Sequence, residues 1–281
     1  MSGLTVETMD PASLGVVIDW AAREGWNPGL RDAEAFYPAE PEGFFLARMN
    51  GEPVGAISAV AYDEQFGFIG FYIVMPDHRG HRVGVELGRV ALKHLGGRNI
   101  GLDGVLNKVK AYENLGFQVA WNNYRYSGMA RRIRFDPSGL QPITDAEWGG
   151  VLAYDRTCFP AVRSGFLKTW MTLPGHHALC CMEGGLLRGF GVMRPCRAGY
   201  KIGPLFADHF DLAERLYMAL QEQAAEGAAI FLDTPGNNPA ATELACRQGM
   251  NVVFGTARMY NQAPPALKSE RVFGITTFEL G

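Results

Sequence analysis

The chain has 281 residues, 47% of them hydrophobic, with 26 basic against 29 acidic side chains and a net charge of -3. That is enough apolar material for one large domain or two small ones, and the slightly acidic balance argues against a general nucleic-acid binder. No apolar run approaches the length that spans a bilayer, so a membrane protein is not expected.

The first residues, Met1 to Glu7, lack the basic and apolar regions of a signal peptide. Five cysteines, at 158, 180, 181, 196 and 246, form no C-x-x-C pair and leave one over. A reduced, cytoplasmic protein is the simplest expectation. Thr8-Met-Asp-Pro11 opens a helix with proline in its first turn, and the apolar residues Leu14, Val17, Ile18 and Ala21 carry it to about Glu24. Gly25-Trp-Asn-Pro-Gly29 breaks it, and a second short helix is expected near Leu30 to Phe36. Gly43 to Met49 reads as a strand, Asn50-Gly51 as a tight hairpin turn, and Pro53 to Tyr62 as the returning strand. Phe66 to Val74 is the next strand, stopped by Pro76. From Val85 the apolar residues Leu87, Val90, Ala91, Leu92 and Leu95 recur at helical spacing. Asn99 to Leu102 is a strand ending at Asp103. Leu106 to Leu115 is a helix ended by Gly116, and strands follow around Phe117 to Ala120 and Tyr124 to Met129. Asp136-Pro-Ser-Gly-Leu-Gln-Pro142 is the best linker candidate and divides the chain into residues 1–136 and 137–281. The basic cluster Arg131-Arg-Ile-Arg134 beside it is expected to be a solvated edge.

After the linker the pattern recurs. Thr144-Asp145 opens a helix as Thr8-Met-Asp10 does, and residues 178–193 match residues 45–57 in kind. Met49 and Met182, Ile69-Gly70 and Ile202-Gly203, and Gly116-Phe117 and Gly249-Met250 all lie 133 positions apart. Ile100 to Asp103 maps onto Ile230 to Asp233 after a three-residue shift. Several matches in one register predict a tandem duplication of one α/β unit.

The stretch with most chemical content is the turn Arg79-Gly-His-Arg-Val-Gly84 between the strand Phe66–Val74 and the helix that follows. A helix N-terminus leaves backbone N–H groups without helical partners, so such a turn cradles phosphate. Strand, turn and helix resemble the acyl-CoA-binding motif of the GNAT superfamily of N-acyltransferases, R/Q-x-x-G-x-G/A. Arg79 and Gly84 match its ends, while Arg82 stands where the family has its central glycine. The resemblance implies that Arg79, Gly80, His81, Arg82, Val83 and Gly84 hold the coenzyme pyrophosphate, and that Ile73 and Val74 pair by backbone with the pantetheine arm. The second half offers Leu205-Phe-Ala-Asp-His-Phe-Asp211 in place of this turn. It has no glycine or arginine there, so only the first half is expected to bind coenzyme.

Lys110-Ala-Tyr-Glu-Asn-Leu-Gly-Phe117 resembles the family's second motif, which implies that Tyr112 faces the coenzyme sulfur. A phenol can protonate a departing thiolate. On spacing alone Tyr112 is equally a packed helix residue, and its counterpart in the second half is Ala245. Many family members carry a glutamate on the central strand as base, and this strand has no carboxylate. Asp103, at a strand end, is the candidate in its place, with a helix cap as the competing role. Trp26, Asn27 and Asp32 lie where the family builds its acceptor pocket, and the same segment reads as an ordinary turn around a buried tryptophan. The chain end, with residues 122–126 and 257–260, resembles a tandem-GNAT subgroup in which a degenerate second copy packs on an active first copy. That implies an acceptor site between the halves, with Glu279 or Tyr260 contributing.

The expected fold is therefore α/β, two tandem GNAT-like domains, each a mixed, mostly antiparallel sheet flanked by helices. The expected activity moves an acetyl group from acetyl-CoA to a primary amine of a small molecule. Rival expectations are a non-catalytic acyl-CoA sensor and an aminoacyl or peptidyl transferase on the same doubled fold. Neither the acceptor nor the oligomeric state is legible. His176-His177 reads as a surface turn with no metal ligands at useful spacing. Cys180-Cys181 reads as strand packing, and Asp233 to Asn238 as a turn capping the helix after Pro239.

Overall fold

The computed structural model describes residues 3–80 and 82–281. The first half supplies strands β1 (Leu4–Thr8), β2 (Phe44–Met49), β3 (Glu52–Ala61), β4 (Phe66–Val74), β5 (Asn99–Val105) and β6 (Gln118–Met129). Its helices are α1 (Pro11–Arg23), α2 (Asp32–Phe36), α3 (Val83–Leu95) and α4 (Val109–Glu113). The second half supplies strands β7 (Leu140–Pro142), β8 (His177–Glu183), β9 (Leu186–Pro195), β10 (Tyr200–Ala207), β11 (Ala229–Pro235), β12 (Asn251–Tyr260) and β13 (Val272–Gly274). Helices α5 (Trp148–Cys158), α6 (Ser164–Thr172), α7 (Phe210–Gln221) and α8 (Pro239–Arg247) accompany them.

All thirteen strands form one sheet, in the order β1-β2-β3-β4-β5-β12-β6-β11-β10-β9-β8-β7, with β13 added on β10. The order is that of two similar half-sheets with their last strands exchanged. The second half's β12 lies against β5 (Thr256 facing Val105), and the first half's β6 lies against β11 (Tyr126 facing Leu232). Within each half one parallel pair, β4–β5 or β10–β11, sits among antiparallel neighbours.

Local chemistry accounts for the elements that position the site. Asp10 caps α1 by accepting from the Ser13 amide at 2.7 Å, which satisfies one orphan donor of the first turn. Asn50 and Gly51 both take positive φ (52° and 90°), the conformation a two-residue hairpin turn demands. Helix α3 buries Val83, Leu87, Ala91 and Leu95, a stripe at four-residue intervals. The valine and the two leucines each contribute roughly 1.5–3 kcal/mol, and the alanine less. A methyl group at Gly55 would stand 3.0 Å from Leu87 and 3.1 Å from Val83, so its absence lets α3 lie close on β3.

Several expectations are corrected. Residues 4–8 form an edge strand paired with β2. The two strands expected after Gly116 are one twelve-residue strand, because β6 is held on both sides by the second half. His176 is buried, not on a surface turn, with Nδ1 bonded to the Trp170 carbonyl at 2.7 Å. Part of the linker segment, Leu140–Pro142, pairs with β8. Arg131 and Arg132 are exposed, as expected, and they also donate to carbonyls just beyond the ends of α8 and α7, at Gln248 and Ala224.

Candidate active site

Strands β4 and β5 pair only from Phe66–Asn99 to Ile69–Leu102 and then part. On the other edge of β4, Gly70 faces Ser58 and Ile73 faces Ala56, so Phe71 and Tyr72 together oppose the single residue Ile57. This is a β-bulge, and Phe71 takes φ 46°, left-handed and strained for an aromatic residue. Phe71 stays there because its side chain is packed into the core, 5.7 Å from the Phe36 ring. Bulge and splay together turn a length of β4 backbone toward an open cleft of about 800 Å³.

Ile73, Val74, Arg79, Gly80, Gly84 and Tyr112 all line this cleft. Arg79 reaches back along β4, its Nε donating to the Val74 carbonyl at 2.8 Å and its Nη2 pairing with Glu24. Gly80 has φ 80° and nothing within 4 Å of a hypothetical Cβ, so the turn there is both left-handed and open. Val83 points the other way, fully buried under α3. Arg82 takes an ordinary right-handed φ of -70°, so the glycine expected at this position is not needed for conformation. Its side chain is exposed, 3.6 Å from Glu86. His81 lies outside the described residues. No side chain caps α3, whereas Asp10, His209 and Asn238 cap α1, α7 and α8. Other helices, such as α5 and α6, also lack a side-chain cap among the described residues, but α3 begins beside Gly84, which lines the cleft, and its free first-turn N–H groups suit a bound anion. The seat and the apolar β4 edge therefore fit an acyl-CoA.

Tyr112 projects from α4 over β5. A Cβ on Gly104 would stand 2.8 Å from the Tyr112 ring, so that glycine admits the phenol. Its ring centroid is 6.4 Å from Tyr72 and 6.4 Å from Phe117. Burial pushes its pKa well above the ordinary phenol range, so it stays protonated at neutral pH. Its hydroxyl makes no hydrogen bond among the described residues. In the duplicate, Ala245 is buried core.

Asp103 is held differently from its expected role as base. Arg258 grips both carboxylate oxygens, at 2.9 and 2.7 Å, and Asn123 donates to one at 2.7 Å. Its side chain has no exposed surface. Arg125 grips Asp233 in the same bidentate way, at 2.6 and 2.7 Å. Arg125 and Arg258 are 133 residues apart, so the two pairs are one interaction made twice. Each joins the last strand of one half to the other half. Asp103 is therefore an anchor of the exchanged strands.

Of the three acceptor-pocket residues, Trp26 lines the cleft. Asn27 instead clasps the second half, exchanging two hydrogen bonds with the backbone of Ala198 at 3.0 and 2.9 Å. Asp32 is buried, accepting from the Gly29 amide at 2.7 Å and from Arg194 Nε at 2.9 Å. Both knit the halves together, and neither lines the cleft.

The remaining wall comes from the chain end. After β13 the chain crosses to the first half, where Phe278 and Glu279 line the cleft. A Cβ on Gly70 would fall 2.0 Å from the Glu279 carbonyl oxygen, so the tail lies directly on the splay of β4. Tyr62 donates to the Leu280 carbonyl at 2.8 Å and Arg163 to that of Gly281 at 3.2 Å, fixing the segment on both sides. Tyr260 is buried beneath Trp121, 6.0 Å between centroids.

Comparison with known proteins decides the family. Residues 15–117 match the model of the acetyltransferase (GNAT) family, and residues 151–274 match that of an acetyltransferase (GNAT) domain. Over 277 residues the chain is 30% identical to holothin acyltransferase of Pseudoalteromonas sp. (strain SANK 73390), covering 98% of this chain and 94% of that one. The chain belongs to the GNAT acyltransferases. It is a tandem GNAT enzyme, with one copy in each half of the sheet. The fold is shared with a putative acetyltransferase from Pyrococcus horikoshii, at TM-score 0.83 and 24% identity, covering 100% of this chain and 97% of that one. It is also shared with a tandem GNAT protein from the clavulanic acid biosynthesis pathway, at TM-score 0.63 and 14% identity, covering 93% and 100%. The GNAT fold is acyl-CoA dependent, which agrees with the seat on α3.

Proposed function

We propose that the first copy transfers an acetyl group from acetyl-CoA to a primary amine of a small molecule, in the cytoplasm and without nucleic acid or membrane as partner. The observation that carries this reading is the alignment, along one cleft, of an uncapped helix N-terminus, an unpaired β4 edge and a protonated tyrosine. Arg79, Gly80 and the first turn of α3, with Arg82 at its rim, would hold the pyrophosphate. Ile73 and Val74 offer backbone groups to the pantetheine arm. The bound coenzyme supplies the acyl group as a thioester.

The backbone turned outward by the Phe71 bulge is placed to donate to the thioester oxygen as charge builds on it. Tyr112 donates its proton to the sulfur as the thiolate leaves, and burial keeps that proton in place until then. The aromatic wall of Trp26, Phe254 and Phe278 suits a flat or apolar amine. The relative named for holothin supports a small-molecule acceptor.

The test titrates acetyl-CoA into the wild type and Tyr112→Phe and follows thiol release with a panel of amines. Binding within about twofold in both, with turnover reduced about 10²- to 10⁴-fold in the variant, is the expected result. Binding with no thiol release from any amine would favour a sensor, and no binding of acetyl-CoA would favour an aminoacyl donor.

A further inference from the structure

The proposed mechanism leaves one proton without a destination. An amine below its pKa arrives as R–NH3+ and must lose a proton before its nitrogen can attack. Strand β4 has no carboxylate, and both oxygens of Asp103 are taken by Arg258 and Asn123.

One carboxylate in the cleft is uncommitted. Glu279 is 4% exposed and lines the cleft beside Phe71. Among the described residues its side chain has neither an ion pair nor a hydrogen bond. Of the charged groups facing it, none bonds its carboxylate, although Arg194 keeps both terminal nitrogens unpaired. Lys201, on β10, donates to the Asn27 carbonyl at 3.1 Å. Arg125, on β6, is bound to Asp233 and to the Trp26 carbonyl. Arg194, on β9, is bound to Asp32, on α2. Its oxygens are not among the fully enclosed unpartnered atoms, so the carboxylate is open to the cleft it lines.

The path that brings Glu279 there is informative. In the second half, Gly203 and Pro204 together oppose Val192, repeating the bulge of β4. In the first half the β4 edge beyond the bulge faces the cleft. In the second half β13 covers it, pairing Gly274 with Leu205 and Val272 with Phe206. A Cβ on Gly203 would fall 2.5 Å from the Ile275 carbonyl oxygen, as one on Gly70 would meet that of Glu279 at 2.0 Å. The tail thus fills the duplicate's coenzyme groove and then lays its next residues on the splay of the active copy.

We propose that Glu279 is the base that accepts the amine proton, and that the second copy's groove serves as the mount for the segment that carries it. This rests on the amine-acylation reading above. In the step, an N–H bond of R–NH3+ breaks and an O–H bond forms on the Glu279 carboxylate, leaving R–NH2 and a neutral acid. That proton then leaves through the cleft to water. The nitrogen's second proton, lost as the amide forms, balances the one that Tyr112 gives to the sulfur. Burial raises the Glu279 pKa above the ordinary carboxylate value, with Lys201 and Arg125 opposing the shift and Asp32 adding to it. That brings it closer to the amine it must deprotonate.

The experiment compares wild type, Glu279→Gln and Glu279→Asp in thiol release with phenethylamine, tryptamine, spermidine and glycine, over pH 6 to 10. Glu279→Gln is expected to lose about 10²-fold or more in kcat/KM at pH 7. Its rate should then climb about tenfold per pH unit toward the pKa of the free amine, because only pre-formed R–NH2 reacts. Glu279→Asp should restore part of the wild-type plateau. Acetyl-CoA affinity should stay within about twofold. Glu279→Gln with near-normal rates and an unchanged pH profile overturns the role of base while leaving amine acylation intact. A loss of rate with lowered melting temperature and an unchanged profile makes Glu279 a tail anchor and also overturns it. A wild type that releases no thiol with any amine overturns the acylation reading itself, and this role with it.

Discussion

Substituting Gly203 by alanine tests whether the second copy supports the chemistry of the first. Gly203 lies on β10, outside the coenzyme cleft and outside the residues proposed to act in it. Its added methyl would meet the carbonyl oxygens of Ile275 and Thr276 at 2.5 and 2.7 Å, and both are backbone atoms that cannot swing aside. Ordinary contact begins near 3.4 Å, so the tail must give by about 0.9 Å or the sheet must yield to it. Overpacking of this kind costs about 1–3 kcal/mol of stability. A displacement near 1 Å at a reacting group costs on the order of 10²-fold in rate, or about 2.7 kcal/mol. Only Thr277 and Phe278 lie between Thr276 and Glu279, so most of the shift should be transmitted. The expected result is a lower melting temperature, kcat/KM reduced by about 10²-fold, and acetyl-CoA binding by calorimetry unchanged. A variant that is destabilised but fully active would show that the tail can move without consequence, and the mounting argument fails. A variant normal in both respects would show that the tail does not lie on β10.

Two further outcomes follow from buried charges. Asp103→Asn leaves the Arg258 guanidinium without its partner and should cost about 3–5 kcal/mol, read as a fall in melting temperature. The double variant Asp103→Asn, Arg258→Met should recover most of that and keep turnover within about fivefold, while a stably folded but inactive double variant would return Asp103 to the chemistry. His176 is buried against Trp170, and burial holds its pKa down to about 4 against an ordinary 6.5. Its folded-state pKa is depressed, so its stabilising contribution is complete above pH 6.5 and is lost as pH falls toward 4. Between those values the unfolded chain binds a proton that the native chain refuses, worth about 3 kcal/mol in total. His176→Phe should flatten that part of the denaturation profile relative to wild type, and identical slopes would refute the assignment.

Much of this was legible in the sequence because the signals were local. Strand, turn and helix around Arg79 to Gly84 follow from a β-branched run, a proline stop and a helical stripe, and the helix-facing valine and leucines proved to be core. The duplication showed in glycines and methionines at one offset, because the same bends recur in both copies. The strand exchange was not legible. β6 suits a place beside β5 as well as one beside β11, and only tertiary pairing chooses. One clue was available, in that Arg125 and Arg258 share the 133-residue offset of the other repeat pairs. Read with Asp103 and Asp233, they mark a reciprocal ion pair rather than a catalytic carboxylate. Asn27 and Asp32 misled for a related reason, since polar residues in a turn look the same whether they meet a ligand or a second domain. Glu279 was legible only together with Tyr260, through the likeness of the chain end to tandem GNAT proteins, and the fold separates them by placing Glu279 in the cleft and Tyr260 in the core.

The second half has no glycine or arginine in the stretch Leu205 to Asp211 that stands where the first has Arg79 to Gly84, yet it has not become inert packing. α7 begins with His209 as its own cap, so its N-terminus is closed to an anion. Asp208, beside it, is bound by Arg271 at 3.0 Å and by Tyr154 at 2.9 Å. Both devices neutralise what in the first copy stays open. Once the second groove no longer had to admit a ligand, its free strand edge became a place to fasten chain, and β13 uses it. The bulge retained in β10 aims that chain at the partner splay, because the two splays are related by the repeat. An unpaired edge is a liability in a folded protein unless something covers it. Here the covering strand β13 runs on into the residues that bring Glu279 to the cleft, so covering one copy and lining the other's cleft are the same structural act.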